Sequence, residues 1–368
     1  MSLVLAGMGW VTPLGCGVSA VWDRILAREQ PVAQTVTTTT ISDRNYHAFR
    51  VPPEACAHAP AHPRLRRSSA ISRFAAAAGM AALEDAGLKL DADSASATAI
   101  IFAISNGGVI YTKRFYHEVV ESGAQAASPL LFPETVFNAP ASHLAAILGI
   151  NGASYTLVGD GAVGILAMKM AEDLMANPAI ERCLVVGAEE ADWLLCDAYS
   201  RWRLLRKEPP IEVFAHKPRG TVLSEGAGAV VIERQREGAV AIEQVEAGCN
   251  FERQAEAAKC IDEVLRRLQP KENDVFVASA NGTFIDASEG SAFQRQSPTA
   301  AICAPKSWLG ESVGAVGLWQ VICAAQALRT QRIPPAGNGG SVDKPPFKRA
   351  IVSACGLNQQ VAGLSLRI

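Results

Sequence analysis

Nucleophilic, acid–base and metal chemistry draw on thiols, imidazoles and carboxylates, and this chain disperses them. Its nine cysteines stand at 16, 56, 183, 196, 249, 260, 303, 323 and 355. Their number is odd and no Cys-x-x-Cys pair occurs. Most sit in apolar company, as Cys183 does in Arg182-Cys183-Leu184-Val185-Val186. This spacing argues against a disulfide framework or a zinc site and for thiols used as small core side chains. The six histidines (47, 58, 62, 117, 143, 216) are equally scattered. One unit stands out. Tyr155–Val158 reads as a strand, Gly159-Asp160-Gly161 as a tight turn, and Ala162–Ala176 as a helix with small residues on its first turn.

The elements around that unit alternate. Val4–Gly9, Thr98–Ile104, Leu184–Gly187 and Ala227–Glu233 are short apolar runs with turn residues at their ends, the signature of buried strands. Ser19–Ala27 and Tyr111–Ser122 carry helical spacing. Ser72–Leu88 is a strong helix, capped by Ser72, filled with alanine and stopped by Gly87. Residues 28–67 read as an irregular excursion and Ser128–Ala141 as a proline-punctuated loop. A second series follows: Ala257–Leu268 (helix), Val275–Ala280 (strand), Gly314–Thr330 (helix) and Arg349–Ser353 (strand). The alternation predicts an α/β protein of two successive halves, 1–235 and 236–368.

Composition narrows the function. The chain has 368 residues, 49% hydrophobic and 19% charged, with a net charge of −2. That excludes a disordered or coiled-coil protein and gives no broad basic field for nucleic acid. The one basic run, Arg64–Arg67, reads as a solvated loop. No stretch approaches the roughly 18–20 apolar residues of a membrane span. The apolar N-terminus lacks the basic segment of a signal peptide, so a cytoplasmic protein is expected.

Seven motifs, in order, carry a family resemblance. They are Ala6–Gly15, Ser128-Pro129 through Asn138, Tyr155–Gly164, Val186-Gly187-Ala188-Glu189, Ser224-Glu225-Gly226-Ala227-Gly228, Asn281-Gly282-Thr283, and Lys306-Ser307 with Gly310–Gly317. On these the chain resembles the β-ketoacyl synthases, the condensing enzymes of the thiolase superfamily, nearly end to end. The resemblance implies a five-layered αβαβα thiolase-like fold and a dimer in which the elbow strand pairs with its copy. Phe132, Phe137, Asn138 and Tyr155 would then face the partner. It implies no cofactor and no metal.

Decarboxylative condensation needs a thiolate to accept the acyl group, donors for the enolate and a hole for the thioester oxyanion. The family supplies a cysteine at the head of a helix and two histidines. By position the cysteine falls on Gly161, the first histidine on Asn281 and the second on Glu311; the lysine is kept as Lys306. Polyketide chain-length factors and decarboxylating relatives carry glutamine at the cysteine position, so glycine departs from both. The oxyanion hole would survive as shape, built from the Gly161 N–H and the Cys355-Gly356-Leu357-Asn358-Gln359 segment. There Leu357 takes the place of a gating phenylalanine, and Asn358 and Gln359 replace two glycines, which predicts a closed or remodelled pocket. Asp160 and Glu311, brought face to face, could serve as acid and base. Alternatively Asp160 accepts N–H bonds at its helix start and Glu311 pairs with Lys306.

Three readings follow. The first is a non-catalytic, chain-length-factor-like subunit, inactive alone, that pairs with an active ketosynthase and shapes an acyl tunnel. Its process would be fatty-acid-like or type II polyketide (for example polyene) assembly on acyl carrier protein. The second is an active 3-oxoacyl synthase or acyltransferase with a relocated nucleophile, Cys355 or Cys196. The third is a homodimeric module that binds acyl groups or carrier protein without turnover. Arg64, Arg66 and Arg67 could touch an acidic carrier. The chain is short for the family, mainly between Glu233 and Val275, where part of a cap is expected. Trp193, Trp202, Trp308 and Trp319 could pack a partner or tunnel, with core filling the reading for at least two.

Overall fold

A computed structural model describes residues 3–38, 44–57, 59–334 and 346–368. Eleven strands form one continuous mixed sheet that bends back over itself. Its first half runs Leu3–Thr12, Gly226–Arg234, Arg182–Glu189, Thr98–Ile104 and Ser154–Val158, with the two-residue strand Gly15–Cys16 folded onto the first. Its second half runs Val240–Asn250, Gln360–Arg367, Arg349–Cys355, Val275–Val277 and Ala301–Cys303. The halves join where Leu3, Val4 and Leu5 pair antiparallel with Ile242, Ala241 and Val240.

Helices complete the layers. The elbow helix Val163–Leu174 and the helix Val316–Thr330 touch each other and strands of both halves, so they form the middle layer. Every residue from Val316 to Leu328 is buried, because a helix covered on both faces has no solvent side to keep polar. Its buried Gln320 Nε2 donates to the carbonyls of Ala278 (2.9 Å) and Ser353 (2.8 Å). Outside the first half, Ala70–Asp85 lies against Leu3–Thr12 and Gly226–Arg234. A Cβ on Gly7 or Gly9 would fall 2.2 Å from the Ala82 carbonyl or 2.3 Å from that of Ala78, so glycine lets this alanine-rich helix press onto the strand. Outside the second half, Ala257–Leu268 covers Gln360–Arg367 and Val240–Asn250, and Phe284–Gln296 packs on it. The order is αβαβα, as expected.

Several boundaries differ from the sequence reading. The alanine-rich helix starts at Ala70 with Ser69 as its cap; Ser69 Oγ accepts the Ser72 N–H at 3.4 Å. The 28–67 excursion is partly regular. Ala33–Thr37 and Asn45–Phe49 form a small sheet with Leu223–Ser224, and short 3₁₀ turns follow; residues 39–43 and 58 lie outside the described part. The Ser128–Ala141 loop contains a 3₁₀ turn, Phe132–Thr135, and runs into the helix Ala139–Leu148. The short stretch after Glu233 holds no missing layer: Val240–Asn250 is the strand that joins the halves. Trp308 and Trp319 are buried core residues, whereas Trp202 is 60% exposed and Trp193 lies under the Lys113 ammonium, 4.7 Å from its ring centre.

Candidate functional site

The strand Ser154–Val158 delivers Gly159-Asp160-Gly161 to the head of the elbow helix, with Gly159 N–H held by the Ile104 carbonyl at 3.0 Å. Gly161 sits buried beside the loop that ends the strand Arg349–Cys355. A Cβ there would meet Gly356 Cα at 3.3 Å, the Cys355 carbonyl at 3.6 Å and Glu311 Oε1 at 3.7 Å.

Asp160 governs the loop. Its Oδ1 accepts the N–H of Gly161 (2.6 Å) and of Leu357 (3.2 Å). Its Oδ2 accepts those of Asn358 (2.8 Å) and Gln359 (2.9 Å), with Gln360 N at 3.5 Å. The Gln360 side chain closes the ring by accepting the Asp160 N–H at 3.0 Å. Gly356 is glycine because a Cβ there would lie 2.0 Å from Asp160 Oδ2. The sequence reading gave Asp160 a helix-start role. It does accept Gly161 N–H, but most of its bonds go to the late loop. The oxyanion hole was expected to survive as shape from the Gly161 N–H and the Cys355–Gln359 segment; one carboxylate oxygen takes both the Gly161 N–H and, from that segment, the Leu357 N–H. Asn358 and Gln359 therefore do not merely stiffen the loop; their N–H groups are part of the clamp.

Behind this clamp lies a second polar group. Lys306, fully buried at the start of Lys306–Leu309, donates to Glu311 Oε2 (2.9 Å) and Ser279 Oγ (2.8 Å). Asn281 Nδ2 donates to the same Glu311 oxygen at 2.7 Å, while Asn281 Oδ1 accepts from Thr283 Oγ1 (2.6 Å) and N (3.2 Å). The expected Glu311–Lys306 pair is present, so Glu311 is engaged by two donors and does not stand opposite Asp160 as a free acid. Ser279, Asp286 and Glu289 were missed. Ser279 Oγ donates to the Cys355 carbonyl (2.9 Å) and accepts its N–H (3.0 Å). Asp286 accepts the N–H groups of Asn281, Gly282 and Phe214. Glu289 accepts Ser279 N–H at 2.9 Å, and burial pushes its carboxyl up to about 7 against the pull of its hydrogen bonds and Lys306. No sequence signal marks these three: Ser279 acts on the distant Cys355, while Asp286 and Glu289 hold backbone N–H groups of the turn just before their own helix.

The proposed substitute nucleophiles are core thiols. Cys355 is fully buried, and burial, joined by the charge of Glu289, pushes its thiol well above the ordinary range. Burial pushes Cys196 up to about 12. A cleft of about 260 Å³ opens outside the clamp, lined by Asn106, Asp160, Leu195, Tyr199, Trp202 and Gln359 among others. The Tyr199 hydroxyl in this cleft is pushed well up, first by burial and then by neighbouring carboxylates, Asp160 foremost.

Phe132, Phe137, Asn138 and Tyr155 are all exposed. Phe132, Phe137 and Asn138 precede the helix Ala139–Leu148, which packs on the strand Ser154–Val158; Tyr155 lies on that strand, the last of the sheet, bonded within the described residues only to Thr98–Ile104. Tyr116, Val120, Leu130 and Val158 add exposed apolar surface. No helix among the described residues is long and apolar enough to cross a membrane.

This layered scaffold, with an elbow turn at the head of a buried helix and a late loop closing over it, is that of a condensing enzyme. The chain belongs to the β-ketoacyl synthase family: residues 2–238 match its N-terminal domain and 238–339 its C-terminal domain. The 3-oxoacyl-[acyl-carrier-protein] synthase 2 of Vibrio cholerae is 23% identical over 364 residues, spanning 91% of this chain and 88% of that protein. The ishigamide ketosynthase/chain length factor has the same fold, with a TM-score of 0.85 at 20% identity over 100% of this chain and 98% of that one. A ketosynthase in complex with its chain length factor from Xenorhabdus doucetiae gives a TM-score of 0.81 at 16% identity, again over 100% and 98%.

Proposed function

We propose that this chain is a non-catalytic, chain-length-factor-like subunit that pairs with an active β-ketoacyl-[acyl-carrier-protein] synthase. The process it serves is fatty-acid-like or type II polyketide assembly. One observation carries the reading: the elbow position that must hold the thiolate is Gly161, and the donors beside it are bonded to Asp160. Without a nucleophile the covalent route is closed. Relocation to Cys355 or Cys196 is opposed by their burial and raised pKa values.

The partner is an active ketosynthase, bound through the Ser154–Val158 edge and its aromatic surroundings. An unpaired edge strand carrying exposed apolar side chains is a surface that a stable protein covers. Arg64, Arg66 and Arg67 are exposed and available to an acidic acyl carrier protein. The test is the native mass of this chain co-expressed with the ketosynthase encoded beside it. A 1:1 heterodimer that condenses only when both chains are present supports the proposal. A stable homodimer that ignores the ketosynthase overturns it.

A further inference from the structure

We propose that Asp160 acts as a built-in occupant of the anion hole, and that this carboxylate, and not the missing cysteine alone, keeps the site closed to acyl thioesters. A thioester oxyanion would need the N–H groups of residues 161 and 357 converging on one oxygen. Asp160 Oδ1 already holds that point, at 2.6 and 3.2 Å from the two nitrogens. Its other oxygen gathers the N–H groups of Asn358 and Gln359, so the occupant also pins the loop that would have to move for an acyl group to enter. The fit is mutual. Gly356 offers no Cβ, and Asp160 fills the space that a side chain there would take. A carboxylate suits the place because it is acceptor-only, and the donors around it are all backbone N–H groups.

The elbow itself has room for a thiol. The closest approach to a Cβ at 161 is 3.3 Å, to Gly356 Cα, which a shift of a few tenths of an ångström accommodates. Two substitutions therefore separate the loss of the nucleophile from the filling of the hole. G161C supplies a thiol and leaves Asp160 in place; D160A/G161C supplies the thiol and empties the hole. In the double variant the introduced thiolate attacks the carbonyl of an acyl N-acetylcysteamine thioester. The charge passes through an oxyanion held by the N–H groups of residues 161 and 357. The new carbon–sulfur bond forms to give that oxyanion, its collapse breaks the old carbon–sulfur bond, and the released N-acetylcysteamine thiolate takes a proton from water. No electrons are transferred to or from a further reagent.

The experiment treats the wild-type, G161C and D160A/G161C proteins with hexanoyl N-acetylcysteamine and, separately, with iodoacetamide. Modification is located by peptide mass spectrometry, which distinguishes position 161 from the nine native thiols. Alkylation at 161 in both variants shows that the thiol is reachable in the folded chain. The expected result is acylation at 161 roughly a hundredfold faster in D160A/G161C than in G161C, the size of effect an oxyanion hole supplies. Equal acylation of the two variants overturns the proposal. So does an alkylated double variant that takes no acyl group. Should the alanine variant fail to fold, D160S/G161C keeps one acceptor for the loop, empties most of the hole and carries the same expectation. The chain is tested by itself, so a negative result here leaves the pairing with a ketosynthase untouched, and failure of that pairing leaves this result intact.

Discussion

Asp160→Asn is close to isosteric, removes the negative charge and reduces the number of N–H bonds the side chain can accept. The amide oxygen can still serve Gly161 and Leu357. The NH₂ group then replaces Oδ2 and points its own hydrogens at the N–H groups of Asn358 (2.8 Å) and Gln359 (2.9 Å). Flipping the amide only moves the conflict to the 2.6 Å bond from Gly161. Two charge-assisted bonds at 1.5–3 kcal/mol each set an upper range of about 3–6 kcal/mol. Asn358 and Gln359 are exposed, so their N–H groups can turn to water, and the cost falls at the low end, about 3 kcal/mol. Hydrogen exchange at the Leu357–Gln360 amides, whose bonds are lost, should therefore speed up roughly a hundredfold. The global melting temperature should fall by about 4 °C. If those four amides exchange at the wild-type rate in D160N, Asp160 is not what holds the loop, and the account of a filled anion hole fails with it.

Three other perturbations read the surrounding structure. Lys306→Met leaves the Glu311 carboxylate buried with only Asn281 as donor, which should cost about 3–5 kcal/mol in urea unfolding; K306M/E311L, which removes both charges, should recover most of it. Burial raises Glu189 to about 8 from an ordinary value of 4.5, so between those values the folded chain keeps a proton that the unfolded chain releases. Stability therefore declines as pH rises through that window, and E189Q should flatten the decline between pH 5.5 and 8.5, measured by urea unfolding; an unchanged slope would count against a protonated Glu189. Val158→Asp puts a charge on the exposed edge strand and should weaken association with the ketosynthase by roughly a hundredfold in native mass titrations, with the melting temperature of the isolated chain unchanged.

Much of the scaffold was legible because its signals are local. The apolar runs at Thr98–Ile104 and Arg182–Glu189 are short, pure and flanked by turns, which only a strand covered on both faces requires. Elements that also serve the site were harder to read. Phe284–Gln296 shows almost no apolar periodicity because its buried face includes Asp286 and Glu289, carboxylates that hold backbone N–H groups of the neighbouring loops. Val240–Asn250 carries glutamates and a glycine, and its register with Gln360–Arg367 slips twice, so it lacks a clean strand alternation. Gln360–Arg367 was missed beside it. The site was legible in what it lacks, since position 161 shows no thiol in any geometry. What fills it was not. Four of the five N–H donors on Asp160 come from residues about 200 positions further along the chain, a closure that no spacing records.

The residues at the three replaced positions lie within two neighbouring sets of hydrogen bonds. Asp160 takes the donors beside Gly161, Glu311 takes Lys306 and Asn281, and Asn281 takes Thr283. Each bond is short and nearly every participant is buried, so the set stabilises the fold in the place where a condensing enzyme keeps its groups free for substrate. The same polar groups fasten the late loop to the elbow turn, and the exposed edge strand Ser154–Val158 leads directly into Asp160 at that point.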